Sequence, residues 1–310
     1  MTILENIILI ISLMLLGILL RKFAVFPNNT AQVLNLFVIY ISLPALVLIT
    51  IPKLEFTTNI IFTALIPWLA LLVSVILLLI SAKVFKWSNN TLGALLLIVP
   101  LGNTSFLGVP MVNTFFSDSA VAYALIYDQL GSFLALAVYG SLVLAFFSKQ
   151  KTKSGNLPTG KAILLNIITF PPFISLVIAL SLHFVVLPEL YYEVLSPIAM
   201  TLVPVVMIAV GFQLSIKLDP ADLSAFIMGL SIKMLIVPLL FLAAFFMLGL
   251  NGPLYKVVVF ESAMPPMISA GALAIMANLS PKLTAAMLAY GILISFVTLP
   301  VLFVILNLFL

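Results

Sequence analysis

Long apolar runs, each bounded by charge, proline or asparagine, follow one another along the chain at approximately 3–20, 31–50, 58–82, 90–115, 120–147, 161–182, 192–215, 224–248, 254–278 and 283–309. They predict ten membrane-crossing helices. About 20 residues cross the hydrocarbon core, so the longer runs imply tilt, breaks or helix projecting beyond it. Two runs are interrupted near their middles. In the fourth, Pro100 and Gly102 precede Asn103, Thr104 and Ser105, and Gly108 and Pro110 follow; in the ninth, Glu261 and Ser262 precede Pro265, Pro266, Ser269 and Gly271. Backbone groups released at such breaks need protein or water as partners, so each break is expected to line a cavity rather than face lipid. Two interrupted helices in corresponding places point to the binding site of a transporter.

The most polar stretch, Ser148 to Gly160, lies at the midpoint of the chain and reads as a linker. It divides a first repeat, 1–148, from a second, 161–310, with the linker at 149–160. Asn6-Ile7-Ile8 matches Asn166-Ile167-Ile168 and Pro44 matches Pro204 at an offset of 160, while Gly108 matches Gly271 and Ser117 matches Ser280 at 163. The second offset lays Gly102-Asn103 on Pro265-Pro266, so the two breaks coincide. Five helices per half is an odd number, and the second half must therefore cross the membrane upside down relative to the first. The expected fold is an all-α integral membrane protein of ten transmembrane helices in two inverted five-helix repeats, with helices 4 and 9 broken.

Composition supports a single membrane domain. Hydrophobic residues make up 64% of the 310 and charged residues 7%, with a mean hydropathy of +1.36, against about 25% charged in soluble proteins. The absence of cysteine excludes disulfides and thiolate metal sites, and a single histidine, His183, excludes an imidazole cluster. His183 stands near an external loop and reads as interfacial. An intramembrane enzyme would need paired aspartates, a serine with a histidine, or a motif such as His-Glu-x-x-His; a single histidine, and an Asp128 far in sequence from any other membrane aspartate, disfavour that reading. No cofactor is expected. The N-terminus carries Glu5 and no basic residue before its apolar run, which reads as a first retained helix rather than a secretory signal.

Charge placement sets the expected orientation. Arg21, Lys22, Lys83, Lys86, Lys149, Lys151, Lys153, Lys161, Lys217 and Lys282 fall in one set of loops, and only Lys53 and Lys256 in the opposite set. The basic side is expected to be cytoplasmic, which places both termini outside a cell (inner) membrane. The net charge of +4 is therefore topological, and the scattered lysines give no nucleic-acid groove.

At the first break Asn103 is suited to cap the second half-helix, with the Thr104 and Ser105 hydroxyls beside N–H groups that no preceding turn satisfies. A half-helix N-terminus at the membrane midplane is a positive pole able to hold a carboxylate. The alternative is a proline kink whose polar residues serve neighbouring backbone; the pairing of two such breaks favours a substrate site. At the second break Pro265 and Pro266 supply no N–H, so the carbonyls of Glu261 and Ser262 lose their helical donors. With the Glu261 carboxylate and the Ser262 and Ser269 hydroxyls, these form a candidate sodium or proton site. The competing reading is that Glu261, about 10 Å along the helix from the outer end of its run, simply reaches water. Asp128 lies within the fifth run, and Lys233 stands about 15 Å into the eighth. Intramembrane charges pair or serve a pathway, and both readings stand for a cluster of Asp128, Glu261 and Lys233: ion coupling, or a buried ion pair with no transport role.

The run Gly102-Asn-Thr-Ser-Phe-Leu-Gly-Val-Pro110 resembles the fourth-helix signature of the auxin efflux carrier family, which includes bacterial malate and malonate carriers and, more distantly, the plant auxin exporters. The resemblance extends to Met264-Pro-Pro-Met267, to Leu43-Pro-Ala45 and to the ten-run count. It implies helices 4 and 9 crossing at their breaks, a scaffold of helices 1, 2, 6 and 7, a transport domain of helices 3–5 and 8–10, and a homodimer. It also implies a substrate site at Gly102, Asn103, Thr104, Ser105, Gly108, Pro110, Pro265, Pro266 and Ser269. Only about a dozen residues stand where the plant exporters carry a long hydrophilic loop. The expected function is alternating-access, elevator-type transport of a small organic anion, mono- or dicarboxylate, with a proton, sodium or no coupling ion. The alternatives are a sodium-coupled organic-anion symporter resembling bile-acid carriers, and a membrane receptor that transports nothing.

Overall fold

The computed structural model describes residues 3–23, 26–53, 59–147, 168–169, 171–213 and 222–310. Among them every regular element is helical. The linker at 149–160, with Lys149, Lys151 and Lys153, lies outside the described residues, as do Lys161 and Lys217.

The helices are α1 (Ile3–Lys22), α2 (Thr30–Lys53), α3 (Asn59–Phe85), α4a (Asn89–Ile98), α4b (104–115), α5 (118–147), α6 (Pro171–Leu182), α7 (Glu189–Phe212), α8 (Leu223–Met247), α9a (Pro253–Ser262), α9b (Ile268–Met276) and α10 (Pro281–Phe309). Among the described residues six helices are long and apolar enough to cross a membrane by themselves: α2, α3, α5, α7, α8 and α10. α3 shows why. Leu65, Leu69, Leu72, Ile76 and Leu79 form an exposed stripe at helical spacing, while Ile66, Ala70 and Leu78 are buried on the opposite side. A helix apolar all round has lipid on its outer face. Its two buried serines return their hydroxyls to their own backbone, Ser74 to Ala70 and Ser81 to Leu77, so neither leaves a bare polar group in hydrocarbon.

The helices pack as two groups. In one, α1 lies along the second half of α7, and α2 packs on α6 and α7. Glycine permits the first contact: a Cβ on Gly17 would collide with the backbone of Ile208, and one on Gly211 with that of Met14. Without a hydrophobic driving force between helices in lipid, such close backbone approach supplies much of the attraction. Ser42 and Thr201 hydrogen-bond at 2.7 Å between α2 and α7, and the Tyr191 hydroxyl donates to the Leu48 carbonyl. In the other group, α3 packs along α5, α4a against α9b, α9a against α5, and α10 against both halves of the ninth run. The groups meet where α2 and α6 touch α5 and where α1 touches α4b.

Several helices widen into π turns, at Val38–Ser42, Thr104–Gly108, Tyr127–Phe133, Leu136–Gly140 and Ile232–Ile236. A π turn loosens the carbonyl ladder and turns side chains off the regular helical face. The turn in α5 is supported from α3. The Pro67 ring stands where a Cβ on Gly131 would be, and the Trp68 indole N–H donates to the Leu130 carbonyl at 3.0 Å.

Candidate functional site at the crossing of the two breaks

The two interrupted helices meet at their interruptions. Gly102 and Pro266 face each other as an isolated antiparallel bridge, in which the Asn103 N–H donates to the Pro265 carbonyl at 2.8 Å and the Met267 N–H to the Leu101 carbonyl at 2.9 Å. This register suits two prolines. The bridge draws its donors from residues 103 and 267, so the missing N–H of Pro266 leaves no gap, while the proline rings prevent α9a from continuing as helix. Backbone groups that would be bare in lipid thus satisfy one another. Space for the rings comes from α10, where a Cβ on Gly291 would stand 2.9 Å from Pro266 Cδ and 3.1 Å from Pro265 Cβ.

Around the bridge lies a polar cluster sealed from solvent: Asn103, Thr104, Asp128, Gln129, Lys233, Glu261 and Ser262 are all buried. Three π turns deliver much of it, those carrying Thr104 and Ser105, Asp128 and Gln129, and Lys233. Asp128 is well held. Its Oδ1 accepts from Thr104 Oγ1 at 2.6 Å and from Ser105 Oγ at 2.5 Å, and its Oδ2 from Gln129 Nε2 at 2.6 Å. Glu261, in the last turn of α9a, has no hydrogen-bond partner at either carboxylate oxygen. It rests against Gly108, where any Cβ would overlap the carboxylate. Lys233 comes in from α8, its Nζ 3.1 Å from where a Cβ on Gly102 would be.

Among the described residues six buried side-chain polar atoms lack a hydrogen-bond partner, and four of them belong to this cluster: Asn103 Nδ2, Gln129 Oε1, and Glu261 Oε1 and Oε2. Buried polar groups in native proteins are almost all paired, so this concentration of open ones sets the crossing apart from the rest of the described interior. Donor and acceptors are both on offer, Asn103 Nδ2 to an anion and the oxygens of Glu261 and Gln129 to a cation. Among the described residues no three His, Asp or Glu side chains converge as a metal site.

Several local expectations change. Asn103 does not cap α4b with its side chain; its backbone carbonyl accepts from Leu107 and Gly108, which leaves the amide free. The Thr104 and Ser105 hydroxyls are committed to Asp128. The Glu261 carbonyl is not released by the prolines, because a tight turn returns the Met264 N–H to it at 3.2 Å. Ser262 Oγ donates to the Val259 carbonyl within its own helix. Pro110 is buried in the first α-helical turn of α4b, and Ser269 is half-buried in the first turn of α9b. Asp128, Glu261 and Lys233 are gathered in one buried cluster, but without hydrogen bonds among them: neutral donors hold Asp128, and neither oxygen of Glu261 accepts from Lys233. His183 lies elsewhere, its Nδ1 3.0 Å from the Pro52 carbonyl oxygen. Gln129 and Gly291 belong to the site and were not singled out in the sequence. An amide beside an intramembrane aspartate was a visible signal for the first; nothing local marked the second.

The chain as a whole is similar to known membrane transport proteins. The family model described as membrane transport protein matches residues 2–303. An uncharacterized transporter of Methanocaldococcus jannaschii is 26% identical over 291 residues, covering 91% of this chain and 92% of its own. An uncharacterized transporter of Methanothermobacter thermautotrophicus is 24% identical over 304 residues, covering 96% of each.

Proposed function

This chain belongs to the auxin efflux carrier family of membrane transport proteins, and we propose that it carries a small organic anion, a mono- or dicarboxylate of the malate or malonate kind, by alternating access of the crossing. The observation that carries this reading is the open Asn103 amide at the start of α4b. A carboxylate there would take its hydration from a fixed amide and from the N-terminal pole of a half-helix. The group of α3–α5 and α8–α10 moves against α1, α2, α6 and α7 in an elevator-type stroke, since the site lies wholly within the first group. The arrangement is that of two inverted repeats, in a homodimer within the cell membrane, with both termini outside.

Uptake of malonate into proteoliposomes tests the reading. Asn103→Asp puts a negative charge at the site, and a folded variant that transports like its parent would remove Asn103 from it. An absence of uptake by the unaltered chain, with binding retained, would make it a receptor. Orientation is tested by a cysteine at Thr152 in this cysteine-free chain: it should react with an impermeant thiol reagent only once the inner face is opened.

A second reading, sodium-coupled symport resembling that of bile-acid carriers, draws on the partnerless oxygens of Glu261. Sodium takes hard oxygen ligands, whereas a proton would protonate the carboxyl itself. Sodium coupling predicts uptake that rises with external sodium at fixed pH and a Glu261→Gln variant that loses the rise. Proton coupling predicts sodium independence and loss of pH dependence in the same variant. A variant that keeps both responses leaves Glu261 a structural residue.

A further inference from the structure

The cluster holds one cation and two carboxylates, and the cation is placed unexpectedly. Lys233 lies about 15 Å inside its helix and is buried, so its ammonium cannot be left to water. Yet it does not sit on Glu261, whose two oxygens are both unpartnered, nor on Asp128, whose oxygens are taken by Thr104, Ser105 and Gln129. It rests on the backbone of the first break. Gly102 makes this possible, since the Nζ lies 3.1 Å and the Cε 3.4 Å from the place a Cβ would fill. Lys233 stands in the π turn at Ile232–Ile236, which turns side chains off the regular face of α8. Gly102 immediately precedes Asn103, whose amide nitrogen is the open donor of the site.

We propose that Lys233 is a substrate ligand that determines specificity for a carboxylate, pairing its ammonium with the anion while Asn103 Nδ2 donates to it. The inference rests on the carboxylate-carrier reading and adds the residue that supplies the opposite charge. The lysine also gives Glu261 a role between substrates. With the anion bound, Lys233 is engaged at the first break and Glu261 is left open to a coupling cation. With the anion gone, the same ammonium can turn to Glu261 and offset its charge. Lys233 therefore links occupancy by the anion to the availability of Glu261.

The test uses the full-length purified protein in detergent and two probes, malonate for dicarboxylates and butyrate for monocarboxylates, with binding read by calorimetry and thermal shift. Lys233→Gln should weaken the probe that binds by about thirty-fold or more, the range measured when one member of a buried charge pair is truncated. Lys233→Arg should keep the affinity within about ten-fold, because the charge remains and only its shape changes. Since Lys233→Gln strips the cluster of its only cation and can unfold the chain, the double variant Lys233→Gln with Glu261→Gln removes both charges. It should melt cooperatively like the parent and still bind weakly, which separates recognition from folding. Either glutamine variant binding within about three-fold of the parent, a spread ordinary for a change that touches no ligand, would overturn the assignment. Binding of neither probe by the unaltered protein would overturn the carboxylate reading, and this inference with it; that result is visible before any substitution is made.

Discussion

Asp128 and Glu261 are two carboxylates buried in one polar cluster, and the chain treats them in opposite ways. Asp128 receives three donors, two of them hydroxyls from the first break itself. Glu261 receives none. The first is a strut, which ties the π turn of α5 to the start of α4b and uses the side chains that a reader of the sequence would give to the substrate. The second is left uncommitted at a site that excludes water. The two acids differ physically: a carboxylate held by three donors is fixed in place, whereas a buried group without hydrogen-bond partners is open to one.

The largest test of that division is stability. Asp128→Leu should destabilise the folded protein by about 2–4 kcal/mol, since hydrogen bonds within membranes contribute about 1 kcal/mol each and three are lost, with buried donors left bare. Glu261→Leu removes a partnerless acid and should leave the thermal midpoint unchanged or higher while uptake collapses. Equal losses of stability from the two substitutions would abolish the distinction.

A sharper and smaller perturbation is Gly108→Ala. The added methyl would overlap the Glu261 carboxylate, and inserting a methyl into a packed site costs about 1–3 kcal/mol. Uptake should fall by about ten-fold or more as the acid is pushed from the crossing. Gly102→Ala meets Lys233 at 3.1 Å, so its effect should be weaker and confined to anion affinity. If Gly108→Ala transports normally, Glu261 is not held at a working position.

Gly291→Ala acts on the scaffold of the comparison rather than on either acid. Its Cβ would press on both prolines of the second break, with a cost of about 1 kcal/mol, toward the lower end for overpacking. A thermal midpoint lowered with unchanged malonate affinity would assign it to support of the break. Smallest in stability is Asn103→Ala, which removes an unpaired amide nitrogen and should hardly move the midpoint, while weakening malonate by about ten-fold, one hydrogen bond to a charged group. An affinity within two-fold of the parent's would take Asn103 out of the anion site.

Much of the molecule was legible in the chain because lipid enforces a simple rule. Every backbone group must be satisfied within the segment, so uninterrupted apolar runs are helices and interruptions are exceptional. The runs that predict α2, α3, α8 and α10 needed no further information. Pro100, Gly102, Pro265 and Pro266 likewise marked the two breaks, since proline lacks the N–H that a helix requires. Asp128, Lys233 and Glu261 announced a buried polar cluster, because charged groups in hydrocarbon must find partners inside the protein.

What the sequence could not allot was the partnership of those residues. Thr104, Ser105 and Asn103 are adjacent and chemically alike, yet the hydroxyls bind Asp128, 24 and 23 residues away, and the amide is left open. That outcome depends on π turns, which change which way a side chain faces by one added residue and which no local pattern revealed. It depends also on Gly108 and Gly291, whose missing side chains make room for an acid and for two proline rings from other helices. Apolar burial and backbone satisfaction are local requirements and are written locally. The choice of partner inside a membrane is decided by which helices cross and how closely, and only the tertiary structure contains that.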